Sequence, residues 1–186
     1  MKKVLPSIFT IMIIAVLMGF AHEGQAQSTS RANTLKEPNL GYTISYPGDW
    51  VYAYQAPHIV IFTPRKGKDG GPVISLRNLN STKIPGGRYK DSDAVIETLM
   101  TQLKTAKDVS VYEPEPYPYA KGQTKLMGKQ LTAEYSIRGE KYKQYVVVLP
   151  RPTGEVFHLW SFVAPEKAYE AFLPTAKAML HSIDLQ

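Results

Sequence analysis

Apolar and polar positions alternate with period two over residues 42–46. Tyr42, Ile44 and Tyr46 face one side and Thr43 and Ser45 the other, as a half-buried strand requires. Pro47-Gly48-Asp49 then turns the chain before Trp50. Further strands are predicted over 50–54 and 58–63, with Ala56-Pro57 between them, and such short connections predict antiparallel neighbours. Residues 64–71 carry Gly67, Gly70 and Gly71 among charged residues and read as a mobile loop leading to a strand over 73–79.

Asp91 and Ser92 each offer a side-chain oxygen to the free amides of a first helical turn. Val95, Ile96, Leu99, Met100 and Leu103 follow at helical spacing, which predicts a helix to about residue 106. That stripe is read as a core face rather than a cofactor box, because a surface helix must bury one side. A strand over 109–112 leads into Glu113-Pro114-Glu115-Pro116-Tyr117-Pro118-Tyr119. Three prolines remove ladder donors there, so the stretch reads as an extended loop or a sheet edge.

Residues 130–138 and 141–149 flank Gly139-Glu140, a glycine-first pair suited to a two-residue hairpin turn. Ideal pairing sets Ile137 opposite Tyr142, Ala133 opposite Val146 and Leu131 opposite Val148 on one face. On the other, Glu134 stands opposite Tyr145 and diagonal to Lys143. Residues 156–163 form an almost wholly apolar run, read as a central strand covered on both faces. A last helix is predicted from Pro165, burying Tyr169, Phe172, Ala176, Leu180 and Ile183, with Pro174 kinking it or dividing it in two. This order of elements predicts an antiparallel β-sheet with helices on both faces.

Ahead of these elements, Lys2 and Lys3 precede an apolar run over 8–20 that is short for a bilayer span, the pattern of an export signal. Gly24 and Ala26 suit a cut before Gln27. Residues 1–26 are thus expected to be a cleavable signal peptide, 27–38 a flexible polar leader and 39–186 a single domain. About 160 residues remain after cleavage, enough for one core. The expected location is extracytoplasmic, in the periplasm or secreted, with no transmembrane span after cleavage; an uncleaved anchor is the competing reading. The chain has no cysteine, so disulfides, thiolate chemistry and lipoprotein-type attachment are closed to it.

Removing Lys2, Lys3 and Glu23 lowers the formal charge from +6 to +5. The excess is local: Arg65, Lys66, Lys68, Arg77, Lys83, Arg88 and Lys90 face only Asp69 across residues 64–90. Such loops could steer an acidic protein or an anionic envelope surface, against the plain reading of solvated lysines. The two halves flank a predicted strand and would sit roughly 25 Å apart.

No Gly-x-Ser-x-Gly elbow, Walker loop, dinucleotide fingerprint or His-Glu-x-x-His occurs, and no cofactor is implied. His58, His158 and His181 are never paired at the spacing of a helical metal site. His158 reads as a hydrogen-bonded core residue; His58 could meet Asp49 across the turn region as a weak divalent-ion site. Tyr117 and Tyr119, on the proline-rich stretch, are candidates for a partner surface, because tyrosine buries much area at small entropic cost. Helical cover over the sheet opposes nucleic-acid binding.

The Ser45-Tyr46-Pro47-Gly48-Asp49-Trp50 turn, the long hairpin, the Phe157-His158-Leu159-Trp160-Ser161-Phe162 strand and the terminal helix with Ser182-Ile183 resemble the PsbP-like (Mog/PsbP) superfamily over about residues 38–185. The export signal fits a bacterial exported member. The resemblance implies an α/β/α sandwich of PsbP-like type around an antiparallel sheet, in a superfamily mostly of binding or assembly proteins. The expected function is therefore an exported, soluble, non-catalytic binding or assembly module with an unidentified partner. Two alternatives stand beside it: a hydrolase built around His58, Asp49 and His158, and a peripheral binder of anionic envelope surfaces through Arg65, Lys66, Lys68, Lys83, Arg88 and Lys90. Oligomeric state is not legible.

Overall fold

The computed structural model describes residues 31–66 and 70–186. The signal peptide expected over 1–26 and the candidate Lys68 lie outside the described residues. Eight strands form one antiparallel sheet: β3 (Trp50–Ala56), β4 (Ile59–Pro64), β5 (Val73–Asn80), β6 (Lys107–Val111), β7 (Glu115–Lys121), β8 (Thr124–Ile137), β9 (Glu140–Pro150) and β10 (Val156–Pro165). Their order is β3-β4-β5-β10-β9-β8-β6, with β7 also paired to β8. A smaller sheet joins β1 (Asn33–Glu37), β2 (Tyr42–Tyr46) and β11 (Asp184–Leu185) in the order β1-β2-β11. The helices are α1 (Ser92–Leu103) and α2 (Glu166–Ser182).

As its apolar run requires, β10 is central, paired to β5 on one side and β9 on the other, and nearly every residue in it is buried. Alternate positions of β9 and β10 enter two separate cores. Val147, Leu149, Trp160 and Phe162 pack with Tyr169, Ala176, Met179 and Leu180 of α2 and with Tyr42 and Ile44 of β2. Val146, Val148, Phe157 and Leu159 pack with Val95, Ile96, Leu99 and Leu103 of α1. Each large apolar side chain so buried contributes about 1.5–3 kcal/mol before entropy is charged against it. Asp91 caps α1 as expected, its carboxylate accepting from the Ala94 amide at 2.8 Å.

Four expectations are corrected. The polar stretch 33–37 is not leader but strand β1: an edge strand needs only backbone pairing, here to β2, and one buried anchor, Leu35. Strand β2 does not pair with β3. Tyr42 and Ile44 pack onto the main sheet, and the Pro47–Asp49 turn, closed by the Trp50 amide on the Pro47 carbonyl at 3.0 Å, drops the chain into that sheet.

The long hairpin turns at Arg138-Gly139, both at positive φ (52° and 84°), rather than at Gly139-Glu140. Two successive positive φ values match the right-handed twist of the strands. Ile137 therefore pairs with Glu140, Tyr135 with Tyr142 and Leu131 with Val146. The slip is two residues, so every side chain keeps its expected face. Finally, α2 runs unbroken through Pro174. Pro174 is exposed, and water can serve the Glu170 carbonyl that the proline leaves without its amide.

Candidate partner-binding groove

The strand alternation that buries Leu131 and Ala133 beneath α1 turns Gln130, Thr132, Lys143 and Tyr145 to the side that carries α2. The helix covers β10 and part of β9, and a hollow of about 480 Å³ remains between it and the outer strands. Gln130, Lys143 and Tyr145 form its floor, Tyr169, Glu170 and Lys177 of α2 one wall, and Tyr112, Glu113 and Glu115 the other. A second hollow of about 440 Å³, bounded by Tyr117, Tyr119, Lys121, Leu180 and His181, shares Gln130 with it. The two form a groove along α2.

Gln130 is held from both ends. Its Oε1 accepts the Tyr145 hydroxyl at 2.6 Å and its Nε2 donates to a Glu115 carboxylate oxygen at 3.2 Å. Lys143 lies 3.4 Å from Glu134, 3.8 Å from Glu170 and 5.1 Å above the Tyr169 ring. Burial pushes the Tyr169 phenol up to about 12, with the Glu170 and Glu134 carboxylates adding to it. Burial likewise raises Tyr145, reinforced by Tyr117, Tyr169 and Glu115. Both phenols stay protonated at physiological pH. The groove thus offers fixed hydrogen-bond donors, charges of both signs and aromatic surface, which suits binding by shape and polarity.

The residues expected at a partner surface separate. Tyr117 is half-buried and lines the second hollow. Tyr119, however, is only 8% exposed; its hydroxyl donates to the Ile183 carbonyl at 3.3 Å and accepts the Leu185 amide at 3.1 Å, tying β7 to the C-terminus. Tyr119 is a fold residue. Alternation on β7, which pairs with β8 despite its prolines, sends both tyrosines toward the core instead of to a free loop.

Arg65 and Lys66 follow β4, whereas Lys83, Arg88 and Lys90 lie beyond the far end of β5, so β5 separates the two basic groups. Lys90 is 3.6 Å from Asp91 and Lys83 is exposed.

The Asp49–His58 pairing is overturned. Asp49 sits where its carbonyl accepts the Arg65 amide at 2.7 Å, beside the Trp50–Pro64 pair; His58 occupies the opposite turn, past the Ala56–Ile59 pair. The intervening β3 spans roughly 20 Å. His158 is fully buried. Its Nδ1 lies 2.8 Å from Asn78 Oδ1, and the Asn78 amide is oriented by donating to the Leu40 carbonyl at 2.8 Å. The proton therefore sits on Nδ1, leaving Nε2 without a partner among the described residues. Burial, aided by Arg151, lowers the imidazole to about 4. No group of three or more His, Asp or Glu among the described residues is placed to hold a metal ion.

Sequence reasoning did not single out Gln130, Tyr145 or Tyr169. The outward alternation of the hairpin placed Glu134 near Lys143, but the wall formed by α2 is a tertiary feature.

No protein-family model and no curated protein matches the sequence. Solved structures do match in shape. The cyanobacterial PsbP (CyanoP) of Synechocystis aligns at a TM-score of 0.60 with 10% identity, over 88% of this chain and 98% of that one. LpqN of Mycobacterium tuberculosis, described as involved in cell envelope biogenesis, aligns at 0.54 with 18% identity over 86% and 92%. The Ran-binding protein Mog1p of Saccharomyces cerevisiae aligns at 0.54 with 8% identity over 84% and 96%. Identities this low speak for the fold alone. With its mostly antiparallel sheet and two described helices, the chain shares the fold of the CyanoP and Mog1p structures, a PsbP/Mog1-like fold.

Proposed function

We propose that this chain is an exported, non-catalytic binding or assembly module that receives a protein partner in the groove along α2. The two cores on alternate faces of β9 and β10 support an α/β/α sandwich, in which α2 leaves a hollow over β8 and the Lys143–Tyr145 part of β9 on its own side. The observation that carries the reading is the groove itself, where Gln130 and Lys143 are held in place and Tyr112, 50% exposed, lines the same hollow. Aromatic surface beside fixed polar groups is the composition of a partner site. Among the fold neighbours, Mog1p is Ran-binding, which supports a binding reading, and LpqN is involved in cell envelope biogenesis, which supports an envelope partner. The separation of Asp49 from His58 and the burial of His158 disfavour the hydrolase reading. Export rests on the basic start and apolar run of residues 1–26.

A photo-crosslinker at Tyr112 or Lys177 is expected to capture one specific envelope protein in living cells, and the same group at Glu97 on α1 is expected not to. Equal capture from all three positions overturns the groove as the site. N-terminal sequencing of the exported protein is expected to begin near Gln27; an intact Met1 on the membrane-bound protein overturns cleavage.

A further inference from the structure

The two edges of the main sheet differ in kind. At one, β6 and β7 follow each other along β8, and Pro114, Pro116 and Pro118 withhold amide donors from it. At the other lies β3. Between Trp50 and Ala56 it contains neither proline nor a charged residue, and Tyr52 to Gln55 are exposed. Prolines, charges and β-bulges keep an edge strand from pairing. This edge has neither proline nor charge, and its one bulge lies at the end, between Tyr54 and Ala56.

The hydrogen-bond phase of β3 follows from one bond. Because the Arg65 amide donates to the Asp49 carbonyl, alternation turns the backbone groups of Val51 and Ala53 toward β4 and those of Tyr52 and Tyr54 outward. No described backbone group pairs with that outward row.

We propose that β3 pairs antiparallel with β3 of a second copy of this chain, about a two-fold axis through Ala53. This goes beyond the groove reading and does not depend on it. In that register Tyr52 exchanges both backbone hydrogen bonds with the second copy's Tyr54, and symmetry repeats the exchange, giving four bonds from the four outward donors and acceptors. Ala53 meets its own counterpart at the non-hydrogen-bonded position, where Cα atoms approach to about 4.5 Å and a small side chain fits.

The tyrosine rings stand on one face as cross-strand aromatic pairs. They are already braced, Tyr52 packing edge-on against Tyr54 at 6.0 Å and against Tyr46 at 5.8 Å. Two observations select a second copy as occupant. The segment Tyr-Ala-Tyr is symmetric about Ala53, so a two-fold axis there sets tyrosine opposite tyrosine and alanine opposite alanine, favourable partners at both positions. And in a chain of charge +6, it is a stretch without charge of its own, the Glu37 carboxylate beside it accepting the Tyr54 hydroxyl. The bulge between Tyr54 and Ala56 ends the pairable stretch, so the contact is short and the dimer reversible.

Sedimentation velocity on the protein produced from its full-length sequence, from micromolar to millimolar concentration, is expected to show a monomer–dimer equilibrium. Ala53→Lys and Ala53→Glu are each expected to be monomeric at concentrations where the parent is dimeric, and their equimolar mixture to recover the dimer. Recovery requires residue 53 to face residue 53, and it also shows that both variants are folded. A parent that stays monomeric throughout overturns the proposal, as it would if a strand of another protein occupied this edge. A dimer indifferent to Ala53→Lys, or lost without recovery in the mixture, overturns it equally.

Discussion

Ser45 on β2 and Ser182 in the last turn of α2, 137 residues apart in sequence, share one hydroxyl. Ser182 Oγ accepts the Ser45 amide at 2.9 Å and donates to the Met179 carbonyl at 2.7 Å, with the Ser45 carbonyl 3.2 Å away. The bond closes the helix end and fastens the small sheet to it. Ser182→Ala strands a half-buried amide and is expected to lower the unfolding free energy by about 1–3 kcal/mol. A denaturant midpoint that falls at unchanged slope is the measurement; an unmoved midpoint would mean that water serves the amide instead.

His158 makes the fold acid-sensitive. Its folded value of about 4 lies below the ordinary 6.5, so protons bind the unfolded chain preferentially. Its stabilising contribution is fully present above pH 6.5 and is lost as pH falls toward 4, by about 3 kcal/mol in all. Unfolding free energies measured between pH 7 and pH 4 should fall with a slope of nearly one proton. His158→Gln should flatten that slope, and a profile identical to the parent's would place the acid sensitivity elsewhere.

Gly41 cannot be replaced quietly. It has φ of 79°, and a Cβ built there would land on the guanidinium of Arg151, which donates from Nε to the Gln186 carbonyl at 3.1 Å. Gly41→Ala combines a left-handed backbone with displacement of that side chain, and is expected to cost about 1–3 kcal/mol. Arg151→Ala should relieve the steric part, so a double-mutant cycle that shows strict additivity would argue against the contact.

Lys143 separates stability from binding. Its ion pairs with Glu134 and Glu170 are partly solvent-exposed, so Lys143→Met is expected to change stability by no more than about 1 kcal/mol. Lys143→Glu instead sets a third carboxylate beside Glu134 and Glu170 on the groove floor. Crosslinking through Tyr112 should then drop sharply while the protein remains folded by thermal melting. Undiminished capture with that variant would remove Lys143 from the site.

Elements whose apolar period is strong were legible before any fold was known. The strand at Tyr42 to Tyr46, the α1 stripe from Val95 to Leu103 and the buried run around Trp160 each carry their periodicity locally. Strand β1 was not legible, because Asn33–Glu37 has a single buried side chain and owes its conformation to β2. Nor was the hairpin turn: Arg138 accepts positive φ only because the paired strands impose it. Tyr119 was misplaced because its proline-rich surroundings conceal an inward alternation along β8.

The sequence by itself determined the strongly periodic elements, the faces of the hairpin and the capped start of α1. It also determined the absence of disulfides and the basic, apolar start on which the proposal of export rests. Tertiary structure alone decided that β2 joins a separate sheet, that Asp49 and His58 stand at opposite ends of β3, and that Gln130, Lys143 and Tyr169 share a groove. The physical reason is range. Periodicity and capping act between residues a few positions apart, whereas a groove or a shared hydroxyl depends on which distant surfaces pack together, and many sequences with the same local pattern could pack otherwise.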